Sequence, residues 1–177
     1  MRLAPESHRR KPLRLPGYDY CRPGYYFVTV CTQDRHSLFG TVAHETMNLN
    51  QYGRIARDCW IQLPEHFSTV QLDAYVIMPD HMHGIVVITD IGSNVGPQHA
   101  AALHSKPSRH YPMVRPGSLG AIIRSFKSAV TRNINRASLQ DPFPIWQYRY
   151  NERIIRDEPE LNRIRRYILN NPKKWRG

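Results

Sequence analysis

Cysteine is scarce. Cys21, Cys31 and Cys59 are odd in number, far apart and include no C-x-x-C pair. This excludes a disulfide framework and a zinc ribbon, and it suits a reducing compartment. Acidic residues are also few: 14 Asp and Glu stand against 25 Lys and Arg, a formal net charge of +11. A surplus of that sign points to a polyanionic partner, most often nucleic acid. A ribosome-bound protein or one on an anionic membrane surface would carry the same count, so charge speaks of binding and not of chemistry. No apolar run approaches the ~20 residues of a membrane helix, and no apolar core follows the basic N-terminus as in a signal peptide. No internal repeat and no second core are visible, so a single domain over residues 1–177 is expected, without a membrane and in the cytoplasm.

What is present falls into short, clearly patterned segments. Residues 1–24 carry His8-Arg9-Arg10-Lys11, Arg14 and three prolines, a basic arm that is either a solvated tail or a segment tracking phosphates. Tyr25 to Thr32 is dense in aromatic and β-branched residues and predicts a strand. Ser37 to Val42 fits a short strand or a loop. Asn50 to Leu63 predicts a helix with Ala56, Cys59, Trp60 and Leu63 on one apolar stripe, stopped by Pro64. A strand over Leu72 to Met78 follows.

Residues 91–117 collapse into Gly, Ser, Pro, Asn and His, a long mobile loop or insertion. Its His99, His104 and His110 have no ligand-like spacing. Ser118 is placed to cap a helix running to about Asn135, with Leu119, Ile122, Ile123, Phe126 and Val130 buried. Arg124, Lys127 and Thr131 share the outward face, either solvated or touching phosphates. Ile145 to Ile155 predicts a last strand. There Trp146, Tyr148 and Tyr150 alternate with Gln147 and Arg149, a row that either stacks unpaired bases or packs the core. Asp157-Glu158-Pro159-Glu160 opens a final helix with an acidic N-cap, an early Pro and Glu in capping-box position. That helix buries Leu161, Ile164 and Ile168 and runs to about Asn171.

Chemistry concentrates in two places. Between Tyr75 and Ile88, apolar β-formers flank a Pro79-Asp80 break, so two strands meet at a tight turn. His81 and His83 open the second. Residues i and i+2 of a strand share a face about 7 Å apart, close enough to converge on one divalent ion or to be satisfied by hydrogen bonds and water. In the final helix Tyr167 and Asn171 are four apart and stack on one face. A tyrosine hydroxyl in a cationic setting can be a nucleophile, and an asparagine carbonyl is a hard ligand that Mg²⁺ or Mn²⁺ accepts.

Taken together, these pieces resemble the single-tyrosine HUH transposases, most closely the branch associated with repetitive extragenic palindromes (REP). The residues that carry the resemblance are Tyr25-Tyr26-Phe27-Val28-Thr29-Val30-Cys31-Thr32, Met78-Pro79-Asp80-His81-Met82-His83-Gly84-Ile85, Trp146-Gln147 and Arg166-Tyr167-Ile168-Leu169-Asn170-Asn171-Pro172. Asp80 stands where many such relatives have Asn or Glu.

The resemblance implies an α+β, ferredoxin-like fold: a central antiparallel sheet with helices packed against it. It implies His81, His83 and Asn171 as ligands of Mg²⁺ or Mn²⁺ and Tyr167 as nucleophile. The reaction implied is cleavage and rejoining of single-stranded DNA at REP-like palindromic hairpins through a 5′-phosphotyrosine, by a monomer rather than a dimer. Arg9, Arg10, Lys11, Arg124, Lys127, Arg149, Arg166 and Lys173 are the expected DNA-binding residues. The rival readings are a non-catalytic single-stranded nucleic-acid-binding protein and a phosphodiesterase that uses water in place of Tyr167.

Overall fold

The computed structural model describes residues 17–90, 115–138 and 141–176. Residues 1–16 of the basic arm, with Arg9, Arg10 and Lys11, lie outside the described residues. So do residues 91–114 of the expected insertion, with His99, His104 and His110.

In chain order the elements are β1 (Gly24–Cys31), β2 (Gly40–Ala43), β3 (Thr46–Leu49), α1 (Gln51–Ile61), α2 (Leu63–His66), β4 (Val70–Ile77), β5 (His81–Ile88), α3 (Leu119–Ala137), β6 (Asn151–Ile155) and α4 (Glu158–Leu169). β2 and β3 form a separate hairpin, and the other four strands make one antiparallel sheet in the order β4-β5-β1-β6. Each long connection skips one strand before re-entering the sheet. This is the split β-α-β arrangement of a ferredoxin-like fold, and the α+β expectation holds.

Side-chain alternation divides the sheet into two coated faces. On one, Tyr26, Val28 and Val30 of β1 join Met82, Val86 and Ile88 of β5 and the apolar stripes of α1 and α3. On the other, Ile85 of β5 and Ile155 of β6 meet Leu161, Ile164 and Ile168 of α4. Among the described residues no helix is long and apolar enough to cross a membrane.

The helix starts follow their capping residues. Ser118 Oγ accepts from Ala121 N–H at 3.3 Å, and Asp157 Oδ1 from Glu160 N–H at 2.7 Å. Glu160 turns back to the N–H of Arg156 (3.0 Å), one residue before the capping-box partner. Asn50 caps α1 through Gly53 N–H at 2.9 Å.

Three expectations change. Pro64 does not simply end a helix: α1 stops at Ile61, and Pro64 lies in the first turn of α2, where its missing N–H costs nothing. The last strand begins at Asn151, not Ile145. Trp146 makes only an isolated bridge to Thr32, because Pro142 and Pro144 supply no ladder donors and Lys127 takes the carbonyls of Gln147 and Tyr148. The aromatic row therefore does not form: Trp146 is buried in the core while Tyr148 is 76% exposed. α4 ends at Leu169, with Asn171 in the turn beyond it.

Gly84 shows how tightly α1 presses on the sheet. A Cβ there would lie 2.4 Å from a ring carbon of Trp60, itself fully buried. Gly84→Ala should therefore destabilise the protein by about 1–3 kcal/mol through overpacking. Chemical denaturation should show a lower midpoint with an unchanged slope.

Candidate active site

The face of the sheet covered by α4 carries the two histidines. Register pairs His83 with Thr29 on β1 and with Val76 on β4, and pairs His81 with Cys31 at the strand end. Both imidazoles are buried and lie edge to face, with ring centroids 4.6 Å apart. The Pro79-Asp80 turn sets this geometry, since β5 starts at His81 directly after it.

Each Nδ1 has a partner. His81 Nδ1 faces Asp80 Oδ1 at 2.5 Å, and His83 Nδ1 faces Thr29 Oγ1 at 2.8 Å. On the other side of the His83 ring, Tyr167 Oη lies 3.2 Å from Nε2. If the phenol donates to Nε2, Nδ1–H donates to Thr29 and the ring is neutral. Burial pushes the His83 pKa down to about 3, helped by the charges of His81 and Arg35. Phe27 completes the pocket, stacked on His83 at 5.4 Å and edge-on to Tyr167 at 6.1 Å.

α4 brings Tyr167 to this point. Its apolar stripe docks on the sheet, and Arg165 forks onto Asp73 of β4 with Nε–Oδ1 of 2.9 Å and Nη2–Oδ2 of 2.6 Å. Asp73 occupies a β-bulge: the pairing runs Leu72 with Val86, then resumes at Tyr75 with Gly84, so Asp73 and Ala74 together face Ile85. Two residues after Arg165, Tyr167 reaches His83 with 41% of its surface still open.

Beyond the helix the chain continues past His81. Trp175 sets its ring 5.9 Å from the His81 ring. Asn171 thus lies between a residue touching His83 and a residue touching His81. It is buried.

Two imidazoles whose Nδ1 atoms are held elsewhere are a donor pair that a divalent ion accepts. Among the described residues no three His, Cys, Asp or Glu side chains cluster as a metal site.

The remaining expected residues scatter. Arg124, Arg149, Arg166 and Lys173 are exposed. Lys127 is not a surface cation: it is half-buried, and Nζ donates to the carbonyls of Gln147 (2.6 Å) and Tyr148 (3.1 Å). Thr29, Arg165 and Asp73 belong to the site's framework and were given no role from the sequence, and Asp80 was read there only as a turn residue and a departure from relatives. The carboxylate directly before His81 was the one available signal; the Asp73–Arg165 pair spans 92 positions and leaves no local trace.

No protein-family model matches the chain. It is 36% identical over 168 residues to an uncharacterized protein of Haemophilus influenzae, covering 95% of this chain and 91% of that one. A second Haemophilus influenzae protein, named "Putative REP-associated tyrosine transposase", is 30% identical over 158 residues, covering 88% of this chain and 74% of its own length. Among solved structures, a REP-associated tyrosine transposase bound to a REP hairpin superposes with a TM-score of 0.58 at 20% identity. That match covers 91% of this chain and 73% of the other.

The Asp73–Arg165 fork generates a pH-dependent prediction. Hydrogen bonds from Arg165 hold the Asp73 carboxyl below its ordinary value of 3.8, outweighing burial. A depressed folded-state pKa contributes stability that is fully present above the unfolded value and is lost as pH falls through the folded one. Asp73→Asn should cost about 1 kcal/mol at neutral pH, given the partial exposure of the pair. Thermal melts should show that gap closing as the pH drops well below 3.8.

Proposed function

The chain belongs to the REP-associated tyrosine transposase family, and on that premise we propose that it cleaves and rejoins single-stranded DNA through Tyr167. The observation that carries this reading is the 3.2 Å approach of Tyr167 Oη to His83 Nε2, across 84 positions of sequence. A phenol aimed at an imidazole pair by a helix pinned to the sheet is a preorganised nucleophile. The solved relative's REP hairpin supports hairpins of that type as the substrate.

In the proposed step Tyr167 Oη attacks the scissile phosphorus. The Tyr–O–P bond forms, the P–O3′ bond breaks, and one proton passes in net from the phenol to the departing 3′ oxygen. A 5′-phosphotyrosine and a free 3′-hydroxyl result. Attack by a 3′-hydroxyl reverses the exchange, so bond energy is conserved and no nucleotide cofactor is required.

His81, His83 and Asn171 would hold Mg²⁺ or Mn²⁺. When bound, such an ion polarises the phosphate and offsets the charge that develops on its oxygens. Phe27 and Trp175 limit water around the histidines. Arg124, Arg149, Arg166 and Lys173 would contact the DNA backbone, and the proposal extends to Arg9, Arg10 and Lys11 of the arm. Lys127 drops from that set, since its ammonium is committed inside the fold. Tyrosine and histidines come from one chain, which supports action as a monomer.

The exposed Tyr148 beside the exposed Arg149 favours a second reading, a binder of single strands that does not cut. A labelled hairpin oligonucleotide with Mg²⁺ or Mn²⁺ separates the two. A denaturant-resistant protein–DNA band is expected, whereas salt-sensitive binding without such a band would support the binder. Tyr167→Phe should abolish the covalent band while still retarding DNA in a native gel. His81→Ala should lose metal-dependent cleavage. Cleavage that survives in Tyr167→Phe would mean that water is the nucleophile.

A further inference from the structure

Asp80 is a buried carboxylate with 6% of its surface exposed, directly before a histidine of the site. A buried charge of this kind persists only when paired and hydrogen-bonded. One oxygen, Oδ1, faces His81 Nδ1, and the other, Oδ2, pairs with Arg35 Nε at 3.2 Å.

The backbone around it is fixed from the opposite side. Thr32 N–H donates to Asp80 O at 2.9 Å, and the N–H groups of Leu38 and Phe39 donate to Pro79 O at 2.8 and 3.0 Å. The turn that delivers Arg35 is itself unusual. Asp34 and Arg35 are consecutive non-glycine residues in the left-handed region, with φ of 51° and 59°. L residues avoid that region, and it persists where surrounding contacts over-determine it. Here the over-determining contacts are the hydrogen bonds of residues 32–39 to the 79–80 turn and the guanidinium on Asp80.

Resting on the metal reading of the site, we infer that Asp80, aimed by Arg35, is a positioning residue that fixes His81 as the Nδ1–H tautomer and leaves its Nε2 lone pair for a metal ion. The chemistry is general: a carboxylate on the far nitrogen of a liganding imidazole sets its tautomer and orientation and raises its basicity. His83 obtains the same service from the hydroxyl of Thr29, a weaker and uncharged partner. The two histidines are therefore not equivalent, and His81 is the one oriented by charge. Arg35 acts at one remove, holding the carboxylate through its second oxygen, and also donates Nη1 to Cys31 Sγ at 3.1 Å.

The test uses the full-length protein without DNA, so that nothing depends on turnover. Imidazole ¹H–¹⁵N correlation spectra report the His81 tautomer directly, and titration with Mn²⁺ followed by the free-ion paramagnetic signal reports affinity. In Asp80→Ala, His81 should populate the Nε2–H tautomer, and Mn²⁺ affinity should fall roughly 10–100-fold. Asp80→Asn keeps an acceptor oxygen for Nδ1–H and should recover most of the affinity. Arg35→Ala should lose part of it, and the double variant Asp80→Ala/Arg35→Ala should be no worse than Asp80→Ala alone. Arg35 is half exposed, so its variant keeps the test open should Asp80→Ala fail to fold. An unchanged tautomer and unchanged affinity in Asp80→Ala, with affinity lost in His81→Ala, would overturn the positioning role and leave the metal site standing. Unchanged affinity in His81→Ala would overturn both.

Discussion

β5 is covered on both faces, and everything else in the molecule is arranged around that fact. One side of the strand packs against α1 and α3 through Met82, Val86 and Ile88, while Ile85 on the other packs against α4. A strand held between two layers cannot slip by one residue without moving its whole apolar set to the wrong side. Its register is therefore strongly specified, and His81 and His83 inherit that precision without any contribution of their own. A loop carrying the same two imidazoles would have no comparable reason to hold them 4.6 Å apart.

Placing polar groups in such a strand carries an electrostatic cost, and the structure meets it locally. Burial drives His83 to its neutral form, which is also the form with a lone pair to offer. Thr29 and Asp80 take the Nδ1 sides of the two rings, and Tyr167 reaches His83 from α4. The helix is held by apolar packing along its length and by one bidentate ion pair at Asp73. Flat apolar surfaces tolerate sliding; a two-pronged guanidinium–carboxylate contact does not.

Much of the framework was legible from local pattern. The strand over Tyr25–Thr32, the paired strands around Pro79-Asp80, and the caps at Ser118 and Asp157 all express short-range chemistry, and each appears where its residues predict. Of the hairpin of β2 and β3, only β2 was legible, as the short strand or loop over Ser37 to Val42, and the pairing was missed for a physical reason. Its two-residue turn uses His44 and Glu45 at φ of 50° and 60°, where glycine or asparagine is the usual signal. Lys127 occupies a helical position that looks solvent-facing, and only the tertiary path of residues 147–148 draws it inward. The start of β6 was placed too early because alternation alone was followed through a stretch whose prolines deny it a ladder. The histidines and Tyr167 were readable as types of chemistry. Their meeting depends on α4 crossing back over the sheet, which no local pattern encodes.

The bulge in β4 carries a lesson about how this chain can change. Before it, Val70 and Leu72 point toward α1 and α3; after it, Tyr75 and Ile77 do, so odd and even positions exchange sides within one strand. Losing a single residue there would restore simple alternation with both halves still facing α1 and α3, at the expense of one of the two positions, Asp73 and Ala74, that face Ile85, whereas adding one would turn half of the strand inside out. Insertions are thus barred from a segment where many substitutions would be harmless. Across related chains, length between Val70 and Ile77 should vary less than identity does.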